Sequence, residues 1–248
     1  NYYDGEYEIA TPSEAVLITN AQQLLENIEA LEDNSPTPYR WYLSAGNYGN
    51  IVIDKNVNLF IVGAYDSQTG VPAVVFDSIT ILKGTVGLDI VRLQAKAKTA
   101  VVSLGSAAGS LTVSRAYFSR PGNDFLTNSV AIQAAMGYKN TIYVNDTYIH
   151  GFTSGILMMS GSINMRDSIL DNNVSALQVR EGDLELQRNT FSYNKSEAIY
   201  IGGTQVAYNF NNNSFVANVV AIKTTVAISN EVFNRNNFAN NARNLYNL

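Results

Sequence analysis

A short pattern that repeats through the C-terminal half of the chain, from Tyr143 to Leu248, constrains the fold more than any other feature. Each copy has an Asx residue, a small or hydroxyl residue, a large apolar residue and an asparagine three positions later. The copies are Asp167-Ser168-Ile169 with Asn172, Asn189-Thr190-Phe191 with Asn194, Asn213-Ser214-Phe215 with Asn218, and Asn237-Phe238 with Asn241. The apolar residues Tyr148, Ile169, Phe191, Phe215 and Phe238 lie 21 to 24 residues apart. Such spacing indicates a repeat protein.

Each repeat also contains three strand-like runs in which apolar and variable residues alternate. One run precedes the large apolar residue, as in Ile142-Tyr143-Val144, and another follows it by about eight residues, as at Ile156, Leu177 and Ile199. Alternation of this kind is typical of strands with one buried face. Three strands in about 22 residues leave no room for a helix. We therefore predict an all-β, right-handed parallel β-helix of roughly eight coils over residues 39–248, in which equivalent residues stack in columns about 4.8 Å apart.

Residues 1–38 are predicted to form an N-terminal segment with a capping α-helix. Thr19-Asn20 opens the helical pattern AQQLLENIEAL, and Gln22 or Gln23 is placed for a capping box. The predicted apolar stripe consists of Leu24, Leu25, Ile28 and Leu31. This helix would cover the open edge of the first coil, so that the edge cannot pair with another chain.

The recurring asparagines have a structural interpretation. A tight corner between strands leaves backbone groups unpaired, while asparagine tolerates left-handed geometry and its amide can bond both the corner and the next coil. We predict a structural ladder at Asn172, Asn194, Asn218 and Asn241.

The repeat and the stretch Trp41-Tyr42-Leu43-Ser44-Ala45-Gly46-Asn47-Tyr48 resemble the pectate lyase-like superfamily of right-handed parallel β-helices, particularly its NosD-like members. The resemblance covers roughly Tyr39 to Leu248 and implies the fold. It implies no single activity, because the fold hosts lyases, hydrolases, epimerases, phage spikes and adhesins. Arg120-Pro121 lacks the second arginine of the pectate lyase motif, and His150-Gly151 is all that matches the hydrolase motifs.

One irregular coil suggests a catalytic site. Tyr117 and Ile132 are 15 residues apart, so about seven residues are inserted at this corner, and such insertions often carry function. Stacking places the chain's only histidine, His150, in one column with Ser119 on one side and Asp171 and Tyr193 on the other. The candidate catalytic residues are Arg120, Asp124, His150, Asp171 and Tyr193. A base, an acid and an arginine that neutralises a carboxylate suit uronate elimination or glycoside cleavage. The alternative is a solvated polar column without chemistry.

A second column pairs Asp146 with Asp167. Carboxylates about 5 Å apart suit a retaining glycosidase, and paired aspartates could bind Ca²⁺. The column would continue as Asn189 and Asn213, which favours a structural Asx turn instead.

A third feature is a set of outward aromatic, amide and charged residues along the strands. The candidate ligand-binding residues are Tyr143, Asn164, Gln178, Glu185, Tyr200, Lys223 and Tyr246. They could bind an extended sugar chain through ring stacking and amide contacts, or they could be the ordinary exterior of the solenoid.

Composition narrows the function classes. A formal net charge of -5 argues against a nucleic-acid partner, and the absence of cysteine excludes disulfides and thiolate metal sites. We predict no metal and no cofactor. We also predict no membrane insertion, since no long apolar run is present. The chain begins at Asn1 without a signal peptide, so we expect a processed segment of an extracellular or cell-surface protein, with secretion from a bacterium as the favoured setting. The last repeat, NNFANNARNLYNL, has no capping helix, and we expect a further domain or homo-oligomerisation to cover it.

Three functional hypotheses follow. The first is a non-catalytic binding or adhesion module that recognises a polysaccharide or cell-surface glycan. The second is a polysaccharide lyase or glycoside hydrolase that acts on an acidic polysaccharide through the Arg120 loop with His150 and Asp171. The third is an oligomeric spike or fibre component that buries the face of Tyr200 and Tyr246.

Overall fold

The computed structural model describes residues 15–94, 100–120, 128–134, 140–203 and 206–248. It is a parallel β-solenoid of about nine turns, which confirms the predicted parallel β-helix and adds a turn to the eight expected. The strands in chain order are β1 (Val16–Ile18), β2 (Tyr39–Leu43), β3 (Gly46–Asn47), β4 (Asn50–Ile53), β5 (Asn58–Val62), β6 (Val74–Phe76), β7 (Ser78–Asp89), β8 (Val91–Gln94), β9 (Ala100–Ser114), β10 (Tyr117–Ser119), β11 (Val130–Ala134), β12 (Asn140–Asn145), β13 (Tyr148–His150), β14 (Ser154–Met158), β15 (Gly161–Arg166), β16 (Ile169–Asp171), β17 (Ser175–Val179), β18 (Gly182–Gln187), β19 (Thr190–Ser192), β20 (Glu197–Ile201), β21 (Val206–Asn211), β22 (Ser214–Val216), β23 (Val220–Thr224), β24 (Asn237–Ala239) and β25 (Arg243–Asn247). The helices are α1 (Ala21–Glu29) and α2 (Asn230–Arg235).

The strands form three faces, which follow one another around each coil. Face I contains β1, β2, β5, β12, β15, β18 and β21, together with the C-terminal parts of β7 and β9. Face II contains the nine strands β3, β6, β8, β10, β13, β16, β19, β22 and β24. Face III contains β4, β11, β14, β17, β20, β23 and β25, together with the N-terminal parts of β7 and β9. Pairing between the coils is parallel throughout the strands described.

The core is a continuous stack of inward side chains. In β17, for example, Ala176, Leu177 and Val179 are buried whereas Gln178 is half-buried and faces outward. Phenylalanines extend one inward column of face II, with ring centroids 5.1 Å apart for Phe191 and Phe215. Each stacked aromatic pair contributes about 0.5–1.5 kcal/mol beyond the burial of its area. The same inward positions in every coil thus supply most of the stability.

The N-terminal helix starts where the sequence predicts. Asn20 caps α1, since its side chain accepts a hydrogen bond from the Gln23 backbone N–H at 2.9 Å. Leu24 and Ile28 are buried in the solenoid core, but Leu25 is 41% exposed. The predicted stripe is therefore wrong at Leu25, which lies about 100° around the helix from Leu24.

The helix α2 lies in the last coil and was not predicted. Ser229 caps it by accepting a hydrogen bond from the Glu231 N–H, and Val232 is buried. The helix takes the place of a face I strand, since it connects β23 of face III to β24 of face II and lies next to β21.

Two ladders of side chains fix the corners on either side of face II. The first ladder, between faces I and II, consists of Thr147, Ser168, Asn189, Asn213 and Asn236. The second ladder, between faces II and III, consists of Asn173, Asn194, Asn218 and Asn241. In both ladders each side-chain oxygen accepts the backbone N–H of the equivalent residue in the preceding coil. The corner amides are therefore satisfied although they are buried.

The second ladder corrects the predicted one at its first member. Asn194, Asn218 and Asn241 take part as expected, but the first member of the ladder is Asn173 rather than Asn172. Asn172 occupies the left-handed position just before the ladder, with φ 51°. The reason is the strand register, in which Leu170 pairs with Phe191. Leu170 is fully buried while Ile169, the expected inward residue, is 42% exposed.

The same one-residue shift changes the predicted aspartate column. Asp146 and Asp167 do align with each other, both at left-handed positions. Their column continues as Arg188 and Asn212, not as Asn189 and Asn213, because Arg166 pairs with Gln187 and Gln187 with Asn211. The aspartates therefore face solvent in an outward column, and the structural Asx column lies beside it.

Candidate functional site

A surface groove of about 200 Å³ lies at the corner between faces I and II. Aromatic and apolar side chains form its floor, and charged side chains stand among them. The lining residues are Tyr65, Pro72, Arg115, Ala116, Tyr117, Asp146, Thr147, Tyr148, Asp167 and Ile169. A concave surface with apolar walls and a few charged groups is the usual form of a ligand site.

Two tyrosines form the aromatic part of the groove. Tyr117 on β10 and Tyr148 on β13 are paired residues of neighbouring strands, and their rings stack with centroids 5.0 Å apart. The guanidinium of Arg92 lies 5.7 Å from the centre of the Tyr117 ring. This cation extends the stack by one further coil.

Charged pairs surround the groove. Arg188 donates two hydrogen bonds of 2.7 Å to the Asp167 carboxylate, and Arg115 makes a two-bond contact with Asp89. The hydrogen bonds from Arg188 hold the pKa of Asp167 below its usual range. Asp167 thus remains a carboxylate well into the acidic range and can accept hydrogen bonds from a ligand.

A second cluster of polar side chains lies two residues further along the same strands. His150 Nδ1 is 3.1 Å from Asp171 Oδ2, and the Tyr148 hydroxyl donates to the same oxygen at 3.1 Å. The Ser192 hydroxyl donates to the other oxygen, Asp171 Oδ1, at 2.9 Å. The Tyr148 and His150 rings are stacked at an interplanar angle of 11°. Asp171 is thereby fixed by three neighbours.

Tyr148 links the groove to this cluster. The pKa of the Tyr148 phenol is raised far above its usual value. Partial burial is the largest cause, and the nearby charge of Asp171 is the second. Tyr148 therefore stays protonated and donates its hydrogen bond across the ordinary pH range. The repeat pattern groups Tyr148 with the large apolar residues Phe191 and Phe215 and so gives no sign of its role at the surface; Ile149 is the inward residue of β13.

The five candidate catalytic residues are brought together only in part. His150 and Asp171 pair as neighbours in one column with Ser119. Tyr193 is not in that column: its place is taken by Ser192, and Tyr193 lies at the adjacent left-handed corner, 63% exposed. Arg120 follows Ser119 and is buried. Asp124 lies outside the described residues.

The candidate ligand-binding residues divide between two faces. Tyr143, Asn164 and Glu185 form one outward column on face I. Gln178, Tyr200, Lys223 and Tyr246 form another on face III. Lys223 Nζ lies 5.3 Å from the Tyr200 ring centre and the Arg243 guanidinium 5.2 Å from that of Tyr246. Both predicted columns exist, but they do not form one surface.

The described part of the chain contains neither a cluster of metal ligands nor a membrane-spanning helix. Within the described ranges, no group of three or more His, Asp and Glu side chains is arranged to hold a metal ion. No helix in this part of the chain is both long and apolar enough to cross a bilayer.

Comparison with known proteins yields no match for this chain, either to a protein-family model or among the curated proteins. The structure itself defines the class, a parallel β-solenoid of about nine turns. The groove and its neighbouring polar cluster are the features that bear on function.

Proposed function

We propose that this protein is a binding module for a polysaccharide or cell-surface glycan, without lyase or glycosidase activity on it, acting outside the cell or at its surface. The observation that supports the proposal is the stacked pair of Tyr117 and Tyr148 in a groove that also contains the Asp146 and Asp167 carboxylates. We also propose that the β-solenoid belongs to the pectate lyase-like superfamily with NosD-like repeats, on the strength of the repeat pattern.

The side chains of the groove match the surface of a sugar ring. A sugar ring has an apolar face of C–H groups and a rim of hydroxyls. Tyrosine rings offer a rigid surface for the apolar face at little cost in conformational entropy. Carboxylates and guanidinium groups at the rim form charge-assisted hydrogen bonds with hydroxyls. The groove is open, so an extended chain can pass through it.

A glycan array followed by titration calorimetry tests this proposal. Tyr117→Ala removes half of the stack, and we expect it to weaken binding about tenfold or more, which corresponds to about 1.4 kcal/mol. Tyr143→Ala and Tyr200→Ala are matched controls, because they remove a tyrosine from faces I and III. Loss of binding in the controls but not in Tyr117→Ala would move the binding site to the columns predicted from the sequence.

A second assay tests whether the protein cleaves the glycan. Incubation with uronate polymers, followed by reducing-sugar and unsaturated-product assays, should give no products if the module only binds. Product formation that His150→Ala abolishes would instead support a polysaccharide lyase or glycoside hydrolase.

A further inference from the structure

Ser119, His150 and Asp171 occupy one column on three consecutive strands of face II, in which Ser119 is 8% exposed and the other two are half-buried. Ser119 on β10 pairs with His150 on β13, which pairs with Asp171 on β16. Neighbouring parallel strands are about 4.8 Å apart, so the histidine stands between a hydroxyl and a carboxylate. We propose that these residues form a nucleophile, base and orienting acid that hydrolyse carboxylic esters.

The hydrogen bonds of His150 give the imidazole the orientation that this chemistry needs. Its Nδ1 faces Asp171 Oδ2 at 3.1 Å. An Nδ1–H that donates to a carboxylate fixes the tautomer with a free electron pair on Nε2. Nε2 is then the nitrogen available to take a proton, and Ser119, which is paired with His150 on the neighbouring strand, is the hydroxyl that we assign as its source.

Asp171 is itself held in place. Ser192 donates to Oδ1 at 2.9 Å and Tyr148 donates to Oδ2 at 3.1 Å. Ser192 and Tyr148 are therefore positioning residues, since they act on the base only through the carboxylate. The side chains of His150 and Asp171 are 33% and 20% exposed. This partial shelter strengthens the electrostatic interaction between them relative to bulk water.

Arg120 supplies an independent sign that a ligand binds here. It follows Ser119 in the chain, and its Cβ lies 3.8 Å from where a Cβ at Gly151 would stand, next to His150. Arg120 is only 8% exposed. Among the described residues, its Nη1 is a buried side-chain nitrogen without a hydrogen-bond partner. An unpaired buried donor destabilises the fold, and we assign this nitrogen to the oxyanion that forms at the ester carbon.

The reaction can be written with its atoms and protons balanced. Ser119 Oγ forms a bond to the ester carbonyl carbon while its proton moves to His150 Nε2. The bond between that carbon and the alcohol oxygen then breaks, and His150 returns the proton to the departing alkoxide. Water attacks the acyl-serine in the second half of the cycle, with His150 again taking and returning the proton. The products are an alcohol and a carboxylic acid.

The substrate class follows from the position of the triad beside the groove. Tyr148 belongs both to the groove and to the cluster, so an O-acyl group on a bound glycan would reach the column. This choice of substrate rests on the proposed function, whereas acyl transfer from a small ester does not. The two can therefore fail separately.

Covalent labelling tests the nucleophile directly. A fluorophosphonate probe should add to the wild-type protein at Ser119, as identified by intact mass and peptide mapping. Ser119→Ala should abolish the addition, while Ser162→Ala, a serine on face I, should leave it unchanged. Labelling that is absent from the folded wild-type protein, or that occurs at another residue, would overturn the proposal. Because this arm uses the wild type, it remains decisive if a variant fails to fold.

Hydrolysis of p-nitrophenyl acetate tests the base. We expect Ser119→Ala and His150→Asn each to lower kcat/KM about 100-fold or more, with circular dichroism unchanged. Rates equal to wild type in both variants would refute the triad. Release of acetate from an O-acetylated oligosaccharide by the wild type, with a KM that rises about tenfold or more in Tyr117→Ala, would support glycan esters as the substrate. Acetate release with an unchanged KM in that variant would refute their delivery by the groove.

Discussion

Replacing Asn194 by alanine should destabilise the solenoid strongly, because one side chain satisfies two buried backbone groups. Its Oδ1 accepts the Asn173 N–H at 3.1 Å and its Nδ2 donates to the Leu170 carbonyl at 3.2 Å. Nδ2 also donates to Asn218 Oδ1 at 2.8 Å, but that oxygen keeps a second donor, the Asn194 N–H. Alanine therefore leaves one N–H and one C=O unpaired. At about 1–3 kcal/mol for each buried group, the loss is about 2–6 kcal/mol.

Urea unfolding followed by circular dichroism measures this loss, provided that the m value is unchanged. Asn172→Ala is the matched control, since Asn172 neighbours the ladder without belonging to it. The control should cost about 1 kcal/mol, for alanine in left-handed geometry. Hydrogen exchange of the Asn173 amide should accelerate in Asn194→Ala only. A variant no less stable than the control, with that amide still protected, would refute the assigned role of the ladder.

Three further predictions concern backbone geometry and charge. Gly182→Ala should cost about 2–5 kcal/mol in urea unfolding, because φ is 113° and an added Cβ would clash with the Gly161 carbonyl. Arg188→Ala should raise the pKa of Asp167 towards its usual range in a carboxyl NMR titration, while costing less than about 1 kcal/mol, as is usual for an exposed pair. Tyr148→Phe should remove one late-titrating phenol from the ultraviolet alkaline titration, because the pKa of Tyr148 is raised.

The sign of each pH effect follows from the direction of the shift. The lowered pKa of Asp167 stabilises the fold above the ordinary carboxyl pKa, and this contribution disappears as pH falls through the lowered value. The raised pKa of Tyr148 stabilises the fold below a pH of about 10 and loses its effect as pH rises further.

The control for Gly182→Ala is Gly70→Ala, because Gly70 has a φ of 67° and open space around it. Equal stability of the two glycine variants would contradict the steric argument.

The sequence predicts the coil and most of its strands because the period-two pattern is strong on faces I and III. The expected equivalences of Ile156, Leu177 and Ile199 agree with the observed register. The pattern is weak on face II, where most strands are only three residues long. There Tyr148 and Ile149, or Ile169 and Leu170, are adjacent apolar residues, and either could point inward.

Aligning all the repeats on the residues of the first ladder identifies which of the two adjacent apolar residues points inward. Thr147, Ser168, Asn189 and Asn213 each precede the buried residue by two positions, at Ile149, Leu170, Phe191 and Phe215. Counting from the hydroxyl or amide of the ladder, rather than from the large apolar residue, places Tyr148 on the surface and Asn173 in the second ladder. The groove itself could not be predicted, because Tyr65 and Pro72 reach it from a distant part of the chain.

The location of the site on face II follows from the way the solenoid divides its residues. Each strand of this face from β13 to β24 lies between two ladders that satisfy the corner amides, so its ends are fixed by groups other than its own outward side chains. In β13, β16, β19 and β22 only the middle residue of the three, such as Ile149, enters the core. The first and third residues are left to face outward at a fixed separation. A coil can therefore carry Tyr148 and His150 there without altering the contacts that stabilise the fold. Substitution of these outward residues should change binding or ester cleavage before it changes stability, whereas substitution in the ladders should do the reverse.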